Sequence, residues 1–229
     1  MDGSCRHMEY CPLISDPFID DVLATTMSKK KDDINALFAF FPIFYEMLSG
    51  ILSVYGKDID DLLFQRFCEV NRNLYWAIVD LMCGAYYNSV QMMRLTFESI
   101  IQAYYLTLKY PGDYRRQLSE ADKMERLKKP FSSIIVDLVK EFKEKMILSE
   151  RDIRKIRRLY RLLSRKSHVS LETIRKIFYE KSDRRLFSYV YDEILFSDSK
   201  RLIEEVIDIT FAIVLSTFLS RGNSEDDKK

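Results

Sequence analysis

The stretch "YYNSVQMMRLTFESIIQAYYLTLKY", Tyr86 to Tyr110, decides the fold class. Its apolar residues recur with the period of an α-helix, and they do not alternate with polar residues as they would in a strand. Gly84 precedes the stretch and predicts a turn, whereas Pro111-Gly112 follows it and predicts a firm helix end. The stretch therefore predicts one long, apolar helix.

The rest of the chain has the same helical character. Apolar residues make up 47% of the 229 residues, but only six Gly and five Pro are present, and so few helix breakers favour long helices. We therefore predict an all-α fold, a single helical bundle of about eight or nine helices over residues 15–220. A tail is expected at residues 1–14 and a flexible tail at residues 221–229. No linker rich in Gly, Ser or Pro divides the chain, so one domain is expected.

Caps and breakers predict the helix boundaries. Ser15-Asp16-Pro17 predicts a helix start, and Pro42 predicts a bend in the next helix. Two Ser/Asp pairs have nearly the spacing and chemistry of capping boxes: Ser119 with Asp122, and Ser149 with Asp152. The predicted helical segments after the first lie at about 32–50, 58–83, 86–110, 114–129, 131–147, 150–168, 171–181, 184–196 and 199–220.

Signals for export, membrane insertion and metal binding are weak. The first residues lack a basic segment followed by an apolar one. The most apolar run, Ile209 to Leu219, has eleven residues, fewer than the roughly 18 expected of a membrane span. The four cysteines have no disulfide spacing, and Cys5, His7 and Cys11 lack the paired spacing of structural zinc ligands. We predict a cytoplasmic protein with reduced thiols, no membrane partner, and no metal or cofactor.

Positive charge is concentrated in residues 151–185. This segment holds thirteen Lys or Arg and four Asp or Glu, a net charge of +9, although the whole chain has a net charge of only +1. Such asymmetry indicates an anionic partner such as RNA or another nucleic acid. The alternative is a solvated helix face that pairs with acids elsewhere in the bundle.

Helical geometry divides this segment into two faces. Ile153, Ile156, Tyr160 and Leu163 form an apolar stripe that should face the core. The basic side chains lie opposite or beside the stripe, and the predicted nucleic-acid-binding residues are Arg154, Arg157, Arg158, Arg165 and Lys166. Arg161 and His168 are seven residues apart, hence nearly in line and about 10.5 Å apart along a continuous helix, with Ser164 between them. A histidine at this position also has an ordinary structural role, in which it caps the last carbonyls of the helix.

Arg161, six intervening residues and His168 match the Arg-x4–6-His pattern of the HEPN superfamily, which the chain resembles over residues 60–220. Arg94 and Glu98 in "RLTFE", and Tyr160 to Ser170 in "YRLLSRKSHVS", add to the resemblance. The resemblance implies an all-helical dimer that cleaves RNA without metal, its two Arg/His pairs forming one composite site. In that site the 2′-hydroxyl of RNA attacks the adjacent phosphate.

The resemblance also implies roles for three residues. His168 would transfer a proton, because imidazole titrates near neutral pH. Arg161 would bind the phosphate and stabilise its developing charge, and Ser164 would orient the phosphate or His168. Leu162 departs from the pattern, since a polar residue typically follows the motif arginine. The alternative function is therefore a non-catalytic helical interaction module with a basic docking face.

Arg94 and Glu98 have two interpretations. Their i, i+4 spacing on an otherwise apolar helix favours a packed salt bridge within the fold. The functional interpretation makes them a supporting pair that reaches the region of His168.

Overall fold

A computed structural model describes residues 17–56, 59–142, 148–167 and 191–226 of the chain. Over these ranges the fold is all-α, without strands, as the sequence predicts. The helices are α1 (Pro17–Phe38), α2 (Phe40–Tyr55), α3 (Leu62–Met82), α4 (Tyr86–Lys109), α5 (Tyr114–Arg126), α6 (Phe131–Phe142), α7 (Glu150–Ser167) and α8 (Glu193–Asp226). The predicted total of eight or nine helices stays a prediction, because the expected helix at 171–181 lies outside the described residues.

Helix α4, formed by the stretch that opened the sequence, is the centre of the bundle. It packs against α3, α5, α6, α7 and α8. Its aromatic side chains fill the core, and Phe97, Tyr104 and Tyr105 are all fully buried. The turn at Gly84, with φ of 78°, brings α3 back against α4. Ser89 then donates a 2.8 Å hydrogen bond to the carbonyl of Ala77, which joins the two helices.

Polar side chains fix the ends of several helices. Asp61 caps α3, and its Oδ1 accepts from the backbone N–H of Leu63 at 2.9 Å. Gln117 of α5 is fully buried, and its Oε1 accepts from the backbone N–H of Leu62 at 2.9 Å. Ser149 and Asp152 form the predicted capping box at the start of α7, with reciprocal bonds of 3.2 and 3.0 Å. These contacts hold the first turns of α3 and α7 in place.

Four boundaries differ from the prediction. The bend expected at Pro42 is a break at Ala39, because a proline ring clashes with the carbonyl four residues earlier. The start of a second helix, expected near residue 32, is a kink within α1 that is centred on Lys30, with φ of −130°. Ser119 lies inside α5, which Asp113 caps instead, so the capping box predicted there is wrong. The break expected near residues 197–198 is also wrong, because α8 runs unbroken from Glu193 to Asp226.

Helix α2 is the most exposed apolar element that the structure describes. It has one charged residue, Glu46, and its Ile43, Tyr45 and Val54 are 46%, 56% and 67% exposed. By length and composition alone, the stretch Ile19–Tyr55 is able to cross a membrane, and 17% of its most apolar window is buried. The candidate membrane span found in the described ranges is therefore here rather than at Ile209 to Leu219, a stretch of α8 in which Ile209, Ile213, Val214 and Phe218 are buried.

Candidate nucleic-acid interface

Helix α7 places its apolar stripe against the core. Ile156 and Leu163 are 1% and 0% exposed, whereas Ile153 and Tyr160 at the stripe's edge are half-buried. Leu159, which the predicted stripe omitted, is also fully buried. The stripe packs against α4 and α8, so the orientation of α7 agrees with the helical-wheel prediction.

The opposite face of α7 carries a row of exposed arginines. Arg154, Arg157, Arg161 and Arg165 follow one another at intervals of three or four residues, and all are exposed. We call these four residues the arginine row. The row extends about 16 Å along the helix axis, since each residue adds about 1.5 Å. Within it, the Nε of Arg161 donates to the carbonyl of Arg157 at 3.3 Å.

The flank of α7 that faces α8 is neutralised by acids of that helix. Three ion pairs join the two helices: Lys155 with Asp208 at 3.7 Å, Arg158 with Glu205 at 2.6 Å, and Lys166 with Asp198 at 2.7 Å. A hydrogen bond from the Lys166 ammonium lowers the pKa of the Asp198 carboxyl, which therefore stays ionised near neutral pH. On this flank the ion pairs favour the alternative interpretation of the charge run, a helix face paired with acids elsewhere in the bundle, and Arg158 and Lys166 join α7 to α8.

The arginine row differs from this flank. Arg154 has a partner within its own helix, Glu150 at 3.8 Å. No carboxylate of the described ranges forms an ion pair with Arg157, Arg161 or Arg165. The positive charge of these three guanidinium groups is therefore open to an anion from solution.

An open depression of about 640 Å³ adjoins the start of α7. Its lining includes Arg151, Arg154, Lys155 and Arg158, together with Ser149 and Asp152 of the capping box. Arg154, Lys155 and Arg158 are paired with acids, so the depression adds mainly Arg151 to the basic surface of the arginine row.

Arg94 and Glu98 form the packed salt bridge that the sequence favours. Arg94 Nε and Glu98 Oε1 are 2.8 Å apart, and the side chains are 22% and 25% exposed. Both residues line a pocket of about 530 Å³ beside α7, and Tyr160 lines the same pocket. The structure therefore brings the α4 pair to the middle of α7, two turns before the position of His168 in the sequence.

The central catalytic prediction falls outside the described residues, because His168 follows directly after the end of α7. Arg161 is exposed and Ser164 is half-buried on α7. Of the three predicted catalytic residues, the structure therefore describes Arg161 and Ser164 but not His168.

Sequence reasoning missed the acids of α8 that neutralise one flank of α7. Asp198, Glu205 and Asp208 are spaced by seven and three residues, which places them along one side of a helix. That spacing is a usable signal for an acidic stripe. Its partner is not readable from the sequence, because the pairing depends on how α7 and α8 pack.

Metal binding has no support in the described ranges, where no group of three or more His, Cys, Asp or Glu residues is placed to hold an ion. Cys5, His7 and Cys11 lie outside those ranges. No protein-family model matches the chain, and no curated protein or solved structure is significantly similar to it.

Proposed function

We propose that this chain is a HEPN-like helical protein that binds RNA through the arginine row and cleaves it without a metal at Arg161 and His168. The observation that carries the proposal is the exposure of the four arginines, three of which have no acid partner in the described part of the chain. Guanidinium groups are the side chains best suited to phosphate, since they stay charged and donate two hydrogen bonds at once.

Binding is the better supported half of the proposal. A row about 16 Å long spans several successive phosphates of a nucleic acid, which carries one charge per 3.4 Å of each strand in B-form DNA. The acids of α8 face the other flank of α7, so they leave the row accessible. The charge on α7 therefore favours sequence-independent contact with the phosphate backbone.

Catalysis rests on the spacing of Arg161 and His168 and on the resemblance to HEPN nucleases. The 2′-hydroxyl of RNA attacks the adjacent phosphate and forms a 2′,3′-cyclic phosphate, while the bond from phosphorus to the 5′-oxygen of the next nucleotide breaks. His168 takes the proton of the 2′-hydroxyl and returns it to the leaving 5′-oxygen, and Arg161 stabilises the charge on the phosphate oxygens. Ser164 orients the phosphate or His168. Two copies of the chain bring their Arg/His pairs together, so we propose a homodimer. The free thiols of Cys68 and Cys83 suit the cytoplasm that we propose as its compartment.

A non-catalytic interaction module is the second candidate function. It is favoured by one observation, the three ion pairs that use α7 cations to attach α8. In this alternative the basic face of α7 docks an acidic protein or a nucleic acid and performs no chemistry.

The binding proposal is tested by salt dependence. Each phosphate that a protein neutralises on a single strand contributes about −0.7 to the slope of log affinity against log salt concentration. Reversing Arg157, Arg161 and Arg165 to glutamate should therefore weaken binding of single-stranded RNA and reduce the slope by about 2. Fluorescence anisotropy at several salt concentrations measures both quantities.

Arg115→Glu is the matched control, because Arg115 is an exposed arginine on α5, away from α7. It should leave the slope unchanged. The control reverses one charge and the triple variant reverses three, so a loss of log affinity in the control that is about one third of the triple variant's loss would show a response to net charge alone. An unchanged slope in the triple variant would remove the arginine row from the interface.

A further inference from the structure

The pocket beside Tyr160 has features of a ligand site that are independent of the arginine row. It lies between α4, the α5–α6 connection, the start of α6, and α7, and its volume of about 530 Å³ is that of a small-molecule site. Phe131 and Tyr160 supply an aromatic wall, with ring centroids 4.7 Å apart. Ile134, Met124 and Leu95 add apolar surface.

The rim of this pocket is cationic. Arg66, Arg94, Lys128 and Lys129 line it, against two carboxylates, Glu98 and Glu125. Three of the cations are held by acids: Arg66 by Glu69 at 2.8 Å, Arg94 by Glu98 at 2.8 Å, and Lys129 by Asp137 at 2.6 Å. Lys128 is exposed, and within the described ranges no carboxylate forms an ion pair with it. It is therefore the cation of the rim most available to an anionic ligand.

The backbone of Lys128 is strained. Its φ is 48°, the only positive φ of a non-glycine residue in the parts of the chain described. Lys128 ends α5 in a Schellman motif, in which its N–H donates to Glu125 and the N–H of Lys129 donates to Met124, both at 3.0 Å. Glycine is the usual residue at this position because a side chain in the left-handed region is disfavoured. A lysine at a strained position on a pocket rim is a feature that points to function.

The chemistry of the pocket fits a nucleotide. Cations at the rim suit a phosphate, and the aromatic and apolar wall suits the face of a planar base. Ser99 and Gln102 also line the pocket and offer a hydroxyl and an amide, groups that hydrogen-bond to the edges of bases. A phosphate ion would leave the aromatic wall without an apolar ligand group. A purely apolar ligand would leave Lys128 without an anionic group.

We infer that this pocket binds a nucleoside monophosphate, free or as one unit of an RNA strand, with its phosphate at Lys128 and its base against Tyr160. The inference does not require cleavage at His168. Tyr160 is three residues after Arg157 and four before Ser164, so the pocket borders the arginine row along one edge of α7. A strand bound along the row would be able to place one base in the pocket.

The decisive variant is Lys128→Gly, which should change binding and stability in opposite senses. Loss of a charge-assisted hydrogen bond should weaken binding of AMP about 10- to 100-fold. Removal of the strained side chain should raise the Tm by about 2 °C. Isothermal titration calorimetry with the full chain measures the first effect, and thermal unfolding measures the second. A variant that merely damaged the fold would lower both quantities.

Two variants and three ligands complete the experiment. Lys128→Arg should retain AMP binding, and Lys123→Ala, which removes an exposed lysine of α5 that does not line the pocket, should leave it unchanged. Inorganic phosphate and ribose 5-phosphate should bind more weakly than AMP, because they lack the base. A short RNA that binds more tightly than AMP, and loses affinity in Lys128→Gly, would identify the nucleotide as part of a strand; AMP as the tighter ligand would identify a free nucleotide.

The inference is overturned if AMP does not bind, if phosphate binds as tightly as AMP, or if Lys128→Gly binds AMP like the wild type. A lower Tm for Lys128→Gly would remove the strain on which the role of Lys128 is argued. Calorimetry with AMP tests the pocket, and the salt dependence of RNA binding tests the arginine row. Failure of one proposal is therefore distinguishable from failure of the other.

Discussion

Replacing Leu163 with alanine is expected to lower the free energy of unfolding by about 2–5 kcal/mol. Leu163 is fully buried in the core, on the face of α7 that packs against α4 and α8. Its truncation removes the free energy of burying the side chain and leaves a cavity that a close-packed interior fills only in part. Urea denaturation followed by circular dichroism measures the change.

Leu162→Ala is the matched control for this substitution. Leu162 is the adjacent leucine on the same helix, and it is half-buried rather than fully buried. It should therefore cost less than Leu163→Ala. A near-neutral effect for Leu163 would place its face outside the core. The arginine row would then no longer be the solvent side of α7.

The second large effect is expected in catalysis. If the chain cleaves RNA, His168→Ala should lower the cleavage rate by at least about 10²-fold, the typical contribution of a general acid or base. The folded state should persist, so the Tm and the circular dichroism spectrum should stay close to those of the wild type. Cleavage of a labelled RNA in the presence of EDTA measures the rate and excludes a contaminating metal-dependent nuclease.

Two further variants sharpen this experiment. His7→Ala removes the other histidine of the chain and should leave the rate unchanged. Arg161→Lys should lower the rate, because lysine keeps the charge but loses the two-pronged hydrogen bond of the guanidinium. Full activity in His168→Ala would end the nuclease proposal. An inactive wild type that still binds RNA would support the non-catalytic module.

The helical fold was predictable because its signals are local. Asp152 follows Ser149 by three residues, and that pair alone predicts the start of α7. Gly84 likewise predicts the turn between α3 and α4. A predicted boundary was wrong where two residues close in sequence were both able to cap the same helix. Ser119 has the side chain of a helix cap, but α5 is capped by Asp113, the residue directly before it. Asp113 Oδ1 accepts a hydrogen bond from the backbone N–H of Arg116 at 3.1 Å.

The candidate site was predictable in part for the same reason. The position of Arg161 opposite Leu163 follows from helical period alone, and the structure confirms the burial of the leucine and the exposure of the arginine. The pairing of Arg158 with Glu205 joins residues 47 positions apart, so it depends on tertiary packing. The positive φ of Lys128 was also not predictable from the sequence, because lysine, unlike glycine, has no preference for the left-handed region of backbone conformation.

The central position of α4 has a consequence for hydrogen exchange. Because five other helices pack against it, its backbone amides become accessible only when the bundle comes apart as a whole. The amides of α2, whose outer face has no cover in the described structure, should exchange through local opening at much higher rates. In a deuterium-exchange experiment the slowest amides of α4 should therefore report the global unfolding equilibrium. A substitution in α7 that loosens the core should accelerate exchange in α4 without any contact with its backbone.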